Sequence, residues 1–297
     1  MDPDFRRAID QCPDAVLVTD GAGTIVYANP VFERMTGYRA GELAGRTPAL
    51  LKSGLHEADF YRALWRALLA GGEFRALFAN RRKGGELYYE DKIIQPLLDA
   101  QGRVTHFVSY GRDATERARE FQKLTHAATH DSLTDLPNRG LFLDRLGQAL
   151  RQATRRGEPL TVAILDIDRF RDTNNRHGHL AGDAVLQAVA ARTRACVREA
   201  DTVARIGGDE IAILLLGAAQ ADAESVLAKV VVANAAPLQH DGVELRATVS
   251  IGAADFPDAA KEGEALRKHA DAAMYAAKAA GGNGYRFWVK PQARLES

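Results

Sequence analysis

The stretch RIGGDEIAILLL, residues 205–216, decides the fold of the second half of the chain. Two glycines and two carboxylates stand between apolar, strand-forming runs, and this pattern predicts a β-hairpin with the acids at its turn. Glycine permits positive φ and lets a polyphosphate come close to the backbone, while Asp209 and Glu210 offer the hard oxygen ligands that Mg²⁺ requires. The stretch therefore predicts a metal-assisted phosphate site.

A second acidic segment supports this prediction. LTVAILDID, residues 160–168, is an apolar run without Gly or Pro, and it predicts a buried strand that ends in two acids. Beside the hairpin in one sheet, its end would bring Asp166 to Asp209 and Glu210. The alternative is that Asp166 and Asp168 merely end a strand in solvent. The presence of both segments in this order favours the shared site.

These two segments, with DSLTDLPNR at 131–139 and RDTNNRHGHLAGDAVL at 171–186, resemble the GGDEF family of diguanylate cyclases. The resemblance extends to Phe287, and Ile211 stands in place of the usual phenylalanine, a change that keeps the position apolar. It implies an α/β fold of the α+β type, with a mixed central sheet surrounded by helices as in nucleotide-cyclase palm domains. The implied reaction condenses two GTP molecules into cyclic di-GMP and pyrophosphate.

The resemblance also assigns the site residues. Asp166, Glu210 and the carbonyl of Ile167 match the metal ligands, with Mg²⁺ as the expected ion and Mn²⁺ as an alternative. Asp209 and Glu210 match the catalytic acids. The positions that match GTP contacts are Phe170, Arg171, Asn174, Asp183, Gly207, Gly208 and Lys278.

Asp183 has two explanations at the level of sequence. A carboxylate there accepts hydrogen bonds from N1 and N2 of guanine, donors that adenine cannot supply. The competing explanation is that Asp183 caps the helix predicted over residues 183–197. Capping does not account for Asn174.

Three departures from the family pattern, at Ile211, Asn175 and Gly282, leave a second function class open. Gly282 stands where the family commonly has an arginine, and Asn175 replaces an aspartate. We expect an arginine restored at Gly282 to lower the KM for GTP, unless Arg286 already serves or the position needs positive φ. The alternative function is a catalytically degenerate domain that binds GTP or cyclic di-GMP as an effector. A mixed-dinucleotide synthase is disfavoured by Asp183, because such relatives carry serine there.

An inhibitory product site is also expected. Arg198 and Asp201 form an RxxD pattern that is separated from Gly207 by five residues, an offset that matches the family's site for cyclic di-GMP. Arginine and aspartate together can bind the edge of guanine. The alternative is a solvated surface pair.

Residues 5–117 resemble a PAS sensor domain, an antiparallel sheet with flanking helices. The resemblance rests on a predicted hairpin at 15–29, on YANPVFERMTGY at 27–38 and on GRDATER at 111–117. Its ligand stays open: Trp65 and Phe74 suggest a flavin, His56 suggests a haem less strongly, and an empty or small-ligand pocket is the preferred expectation. For His56 we expect a solvated side chain at the start of a helix.

The predicted organisation is a PAS domain over residues 1–113, a signalling helix over 114–130 and a GGDEF domain over 131–297. Phe121, Leu124 and Ala128 form a narrow apolar seam on the helix. The seam resembles one that pairs protomers, and the alternative is a linker helix packed on its own domain. Because one GGDEF domain holds one GTP, we expect a homodimer.

The composition limits the other function classes. The chain has 297 residues, and its Lys plus Arg and Asp plus Glu counts are both 39, so no charge footprint for nucleic acid is visible. The two cysteines, Cys12 and Cys196, lack metal-ligand spacing. No apolar run approaches the length of a membrane span, and the first residues lack a signal-peptide pattern. We therefore expect a cytoplasmic protein.

Overall fold

A computed structural model describes residues 3–290, and the chain in it divides into two compact units at Leu124 and Thr125. Unit 1 is built on one antiparallel sheet in the order β2-β1-β5-β4-β3. Its strands are β1 Ala15–Asp20, β2 Ile25–Ala28, β3 Phe74–Arg81, β4 Leu87–Leu98 and β5 Val104–Asp113. The expected hairpin at residues 15–29 is present as β1 and β2.

The helices that follow the first hairpin cover one face of this sheet, and the helix before it contacts Tyr27 on the other face. In chain order the helices are α1 Pro3–Asp10, α2 Pro30–Thr36, α3 Ala40–Leu43, a 3-10 turn at Pro48–Leu51, and α4 Ala58–Leu69. Local sequence sets the bounds of α2, because the Asn29 side chain accepts a hydrogen bond from the Phe32 amide and Gly37 ends the helix at a φ of 78°. Phe32 is fully buried in the core that this helix shares with the sheet.

Helix α5, Thr115–Thr129, runs continuously across the boundary between the units. Phe121 and Leu124 expose 71% and 64% of their surfaces, and Ala128 is exposed as well. The alternative that this seam packs on its own domain is therefore wrong for these side chains.

Unit 2 contains a five-stranded mixed sheet in the order β12-β11-β6-β8-β7, in which only β11 and β12 are parallel. A two-stranded ribbon is separate from it. The strands of the sheet and then of the ribbon are β6 Leu160–Ile167, β7 Thr202–Arg205, β8 Glu210–Leu216, β11 Val249–Phe256, β12 Gly284–Phe287, β9 Leu238–His240 and β10 Val243–Leu245. Every residue of β6 is buried, as its apolar run predicts.

Helices cover both faces of the sheet in unit 2. They are α6 Arg139–Arg156, α7 Phe170–His177, α8 His179–Ala195, α9 Gln220–Ala235 and α10 Gly263–Ala279. One core lies between the sheet and helices α8 and α9, and the other between the sheet and helices α6 and α10. Gly252 allows α10 to approach, because a Cβ there would overlap the backbone of Ala270 and Met274. None of the helices described is long and apolar enough to span a membrane.

Candidate active site

The register of β6 and β8 brings two of the predicted acids together. Asp166, near the end of β6, pairs directly with Glu210, the first residue of β8. Their neighbours Leu165 and Ile211 belong to the core beneath α8 and α9, so both acids face the side of the sheet that carries α10. From the last turn of α10, the Nζ atom of Lys278 lies 2.5 Å from Oδ1 of Asp166. Three of the predicted residues therefore meet at one end of the sheet.

In this cluster three carboxylates, of Asp166, Asp209 and Glu210, face one ammonium group, that of Lys278. Burial raises the pKa of the Asp166 carboxyl above its ordinary value, and the charges of Asp209 and Glu210 raise it further. Lys278 acts in the opposite direction and does not fully offset these effects. A second cation near the three carboxylates would favour their ionised forms.

The donor set fits Mg²⁺. Within residues 3–290, no three His, Cys, Asp or Glu side chains are arranged to hold a metal by themselves. Two carboxylates, Asp166 and Glu210, with the Ile167 carbonyl nearby form an incomplete set of oxygen ligands. Mg²⁺ is typically bound in this way, through one or two carboxylates completed by substrate phosphates and water.

The turn between β7 and β8 does not use its glycines as the sequence suggested. Gly207 and Gly208 are not among the glycines with positive φ, so that expectation is wrong. A Cβ on Gly207 would lie 2.8 Å from Oε2 of Glu210, so a side chain there would displace the Glu210 carboxylate. A Cβ on Gly208 would meet no atom within 4 Å, so the outer side of the turn is open.

A clamp that sequence reasoning missed holds this turn. The Arg205 side chain donates to the Gly208 carbonyl at 2.7 Å and 3.1 Å, and to Asp131 at 3.0 Å and 3.2 Å. Burial acts to raise the pKa of Asp131, but hydrogen bonds from Thr134 and Arg205 outweigh it and leave the pKa lowered. The start of DSLTDLPNR is therefore tied to the GGDE turn. In the sequence, the only signal for this contact is that DSLTDLPNR and the GGDE turn occur in the same chain.

The predicted guanine contacts lie on two adjoining helices. Asn174 and Phe170 of α7 pack against Gly182 of α8, where a Cβ would overlap the Asn174 side chain. Asp183 follows Gly182 directly and is half-buried. Helix α8 begins at His179 with Gly178 as its N-cap residue, so the explanation that Asp183 caps the helix is wrong. Arg171, in the first turn of α7, is exposed.

Asp168 anchors the loop that contains Gly282. Its carboxylate accepts hydrogen bonds from Thr248 Oγ1 at 2.7 Å, from Ser250 Oγ at 2.6 Å and from the Asn283 amide at 2.9 Å. It does not simply end a strand in solvent. Gly282 has a φ of 74°, and a Cβ there would lie 2.9–3.0 Å from this carboxylate. Side chains other than glycine are therefore strained at this position.

Arg286 lies on the edge strand β12 and is exposed. Its neighbours Tyr285 and Phe287 pack against the core beneath α8 and α9, so Arg286 is on the opposite face of the sheet, as Asp166 is. The position is compatible with a substitute for the family arginine, although no contact with the acids is formed.

The two residues of the RxxD pattern differ in environment. Asp201 is buried, and its carboxylate accepts hydrogen bonds from the Arg198 amide and the Leu216 amide, both at 3.0 Å. Arg198 is exposed. Asp201 therefore holds the connection between α8 and β7 against the end of β8, which sequence reasoning did not anticipate. An adjoining groove is also lined by Arg145 and Arg194.

In unit 1, His56 is not the solvated histidine that its position suggested. Its Nε2 atom accepts a hydrogen bond from the Ala79 amide at 2.8 Å, and its ring stacks on Phe60 at 4.0 Å. Burial lowers the pKa of His56. Because Nε2 is engaged as an acceptor, it does not offer a free haem ligand. Of the two proposed flavin neighbours, Trp65 lines the cavity of unit 1 and Phe74 packs instead against Phe60.

Comparison with protein families gives two matches. The family model described as "Diguanylate cyclase, GGDEF domain" matches residues 128–284, which is more than half of the chain. The model described as "PAS fold" matches residues 4–114.

Individual relatives agree with the family models. Diguanylate cyclase TpbB of Pseudomonas aeruginosa is 46% identical over 161 residues, which are 54% of this chain and 37% of that protein. An uncharacterized signaling protein of Caulobacter vibrioides is 35% identical over 291 residues, 96% of this chain and 35% of that protein. A solved structure of the coiled coil and GGDEF domain of DgcB from Caulobacter crescentus, in complex with c-di-GMP, is 31% identical. It covers 58% of this chain and 92% of that chain, with a TM-score of 0.54. The chain spans between 26% and 37% of the length of the first curated relatives that it matches.

Proposed function

Because the chain belongs to the diguanylate cyclase GGDEF-domain family and carries a PAS fold ahead of that domain, we propose that it condenses two GTP molecules into cyclic di-GMP and pyrophosphate. The observation that carries the proposal is the pairing of Asp166 with Glu210 on adjacent strands, with Lys278 on the same carboxylate. Acids alone would suit many metal sites. A lysine beside them adds a partner for phosphate.

Asp166, Glu210 and the Ile167 carbonyl would hold Mg²⁺ or Mn²⁺. The ion would supply charge neutralisation on the phosphates and a lowered pKa for the attacking 3′-hydroxyl. The protein then contributes mainly by positioning, as is usual in phosphoryl transfer.

Each remaining residue has a binding or orienting role in this proposal. Asn174 and Asp183 read guanine, with the Asp183 carboxylate accepting from N1 and N2. Gly207 and Gly208 leave room for the triphosphate beside the turn, and Arg171 and Lys278 contact its oxygens. The first amides of α7, which follow the acidic end of β6, add donors for phosphate. Asp209 stands beside the reacting hydroxyl as an acceptor for its proton.

Each bond requires the 3′-hydroxyl of one GTP to attack the α-phosphate of the other, with pyrophosphate leaving. One domain holds one GTP, so two chains must face each other. The exposed seam of α5 offers a surface for the pairing. Control by unit 1 would act through this geometry.

Product feedback belongs to the same proposal. Arg198 is exposed and lies next to the groove that Arg145 and Arg194 line. A guanidinium can bond O6 and N7 of guanine in cyclic di-GMP. Both oxygens of the Asp201 carboxylate accept backbone amides, so Asp201 supports the backbone that carries Arg198.

The direct test is incubation of the full chain with GTP and Mg²⁺, followed by chromatography of the products. We expect cyclic di-GMP and two pyrophosphates per ring, and no cyclic product from ATP. If GTP binds in equilibrium dialysis and no cyclic product forms over a range of protein concentrations, the chain is instead an effector that binds nucleotide. The observation that favours this alternative is that Gly282 stands where the family commonly has an arginine.

A further inference from the structure

Unit 1 contains a cavity with a volume of about 310 Å³ that is partly open to solvent and is lined by residues of β1, β3, β4, β5 and α4. Small-molecule sites in proteins begin at about this size and are mostly apolar with a few placed polar groups. Most of this lining is apolar. Leu64, Leu68, Ile94, Trp65 and Phe107 provide much of it, and the Trp65 and Phe107 rings meet edge to face at 5.6 Å.

A buried ammonium group faces the cavity from β4. The Lys92 side chain is only 6% exposed, and its Nζ atom lies 3.2 Å and 3.3 Å from the two carboxylate oxygens of Glu90. Glu90 is fully buried behind the lining and also accepts a hydrogen bond from Asn80 at 3.1 Å. An ammonium carries three N–H groups. One donates to Oε2 of Glu90, and the ring centres of Phe32 and Phe78 lie 5.7 Å from Nζ. No other oxygen or nitrogen of the described residues accepts a hydrogen bond from this ammonium, so at least one N–H is left for a ligand.

A second lysine stands at the rim. Lys52 lines the cavity, is exposed, and places its Nζ atom 4.0 Å from the centre of the Tyr61 ring. No acidic side chain of the described residues lines the cavity. Glu90 balances the charge of Lys92, so one positive charge remains beside a largely apolar space. Such a space favours an anion over a cation or a neutral molecule, because a neutral molecule without an acceptor leaves the free N–H unsatisfied.

We propose that this cavity binds a small monocarboxylate with an apolar body. The carboxylate accepts hydrogen bonds from Lys92 and Lys52, and the body packs against Trp65, Phe107 and the leucines of α4. A ring is favoured at the apolar end because its edges and faces complement those of Trp65 and Phe107. The assignment concerns binding alone and does not depend on the reaction proposed for unit 2.

The test uses the full chain and 4-phenylbutyrate as the probe. The chain has two tryptophans, Trp65 and Trp288. In a Trp288→Phe background, fluorescence therefore reports only on Trp65. We expect a saturable change with one probe per chain, binding of 4-phenylbutan-1-ol at least tenfold weaker, and no binding of 4-phenylbutylamine at the same concentrations. Equal affinity for the acid and the alcohol would overturn the proposal.

Variants locate the carboxylate. Lys52→Met is expected to weaken binding of 4-phenylbutyrate at least fivefold, whereas the control Lys83→Met, an exposed lysine paired with Glu42 outside the cavity, leaves it unchanged. Lys92→Met combined with Glu90→Gln avoids an unpaired buried carboxylate and should remove the preference for acid over alcohol. If circular dichroism shows that this double variant does not fold, the affinity of Lys52→Met for 4-phenylbutyrate is the deciding measurement. Undiminished binding in Lys52→Met, or a flavin that co-purifies and that no carboxylate displaces, contradicts the assignment.

Discussion

Glu210 is unfavourable for the stability of the folded protein but is proposed to be required for turnover. Its charge is one cause of the raised pKa of Asp166, after burial and the neighbouring Asp209, so it adds repulsion to the folded protein. The residue therefore does not serve the fold, and its proposed value lies in holding a metal. This conflict between local stability and function is common at active sites.

We predict that Glu210→Gln lowers the turnover of GTP by about a hundredfold or more, because a neutral amide replaces a carboxylate ligand poorly. The Tm should stay the same or rise, since one repelling charge is removed. Product chromatography and thermal unfolding measure the two effects. Glu158→Gln, at an exposed acid 3.9 Å from Arg156, is the control and should change neither. Near-normal turnover of Glu210→Gln at ordinary Mg²⁺ would contradict the assignment of this residue as a ligand.

Gly282 is explained by backbone conformation and by the packing of its loop. Its φ of 74° and the nearby Asp168 carboxylate both disfavour a side chain. The exception attached to the expected gain in GTP binding is therefore met, because the position needs positive φ.

We predict that Gly282→Arg destabilises the protein by about 1–3 kcal/mol, the usual cost of a residue held in a sparsely populated backbone conformation. It should not lower the KM for GTP. Urea unfolding and steady-state kinetics measure both quantities. In the control Gly84→Arg the new side chain enters open space, and neither quantity should change. A folded Gly282→Arg variant with a lower KM would show that the loop adapts.

His56 should make the stability of unit 1 depend on pH. Its Nε2 accepts from the Ala79 amide and burial lowers its pKa, so the folded state favours the neutral ring. As pH falls below the ordinary pKa of 6.5, the unfolded chain gains a proton before the folded chain does, and stability is lost.

We predict that the Tm of unit 1 falls between about pH 7.5 and pH 5.5, a range set by the ordinary histidine pKa, and that His56→Gln reduces this slope. Glutamine can still accept from the amide but does not titrate. His106→Gln, at an exposed histidine of the same unit, should keep the wild-type slope. Equal slopes for wild type and His56→Gln in calorimetry would show that this histidine does not titrate on unfolding.

At the scale of elements, the connection from α8 to β7 shows how one motif can serve two purposes. Asp201 fixes the backbone through the Arg198 and Leu216 amides, and Arg198 keeps an exposed side chain. Replacement of the aspartate would therefore disturb the fold and the product site together. Replacement of Arg198 should affect the product site without disturbing the fold.

We predict that Arg198→Ala weakens inhibition by cyclic di-GMP about 5- to 150-fold, the range that corresponds to loss of one bidentate guanine contact. The initial rate should be nearly unchanged. Initial rates in the presence of added cyclic di-GMP measure the effect, with Arg155→Ala on the exposed end of α6 as the control. An unchanged inhibition curve would reduce Arg198 to a surface residue.

The sequence predicted elements better than contacts. Alternation and apolar runs located β1, β2, β6 and the GGDE hairpin, because these signals are local. The clamp from Arg205 to Asp131 joins residues 74 positions apart, and His56 meets Ala79 across 23 positions. Such partners depend on how elements pack, which no local pattern contains. The two acid-ended segments did predict that Asp166 and Glu210 meet, because strand ends in one sheet can be placed from local patterns, and the register of β6 and β8 pairs these residues.

At the scale of the whole molecule, activity should depend on what precedes unit 2. The end of α5 belongs to unit 2 and is bonded within it, since the Asn138 amide donates to Thr129 and its side chain donates to Ala128, both at 2.8 Å. A fragment that starts at residue 131 would lose these bonds. Fragments for comparison should therefore begin at Thr125 or Thr115.

We predict that residues 125–297 show lower activity per chain than the full-length protein at low concentration, with partial recovery as concentration rises by mass action. In the full chain, Leu124→Glu should have the same effect, because it places a charge in the apolar seam. Lys123→Glu, on an exposed neighbour, is the matched control. Light scattering and turnover across a concentration series give the result. Equal activity of the fragment and the full chain at every concentration would assign unit 1 a role other than dimerisation.

The continuity of α5 has a consequence for recombination between sensor modules. Each residue of an α-helix turns the chain by about 100°, so the insertion of one residue between Phe121 and Leu124 would rotate everything upstream by that angle. An insertion of seven residues restores the phase to within about 20°. Chimaeras that join a foreign sensor to this helix should therefore retain output in steps of seven residues, and evolution can exchange such modules only at junctions that keep the phase.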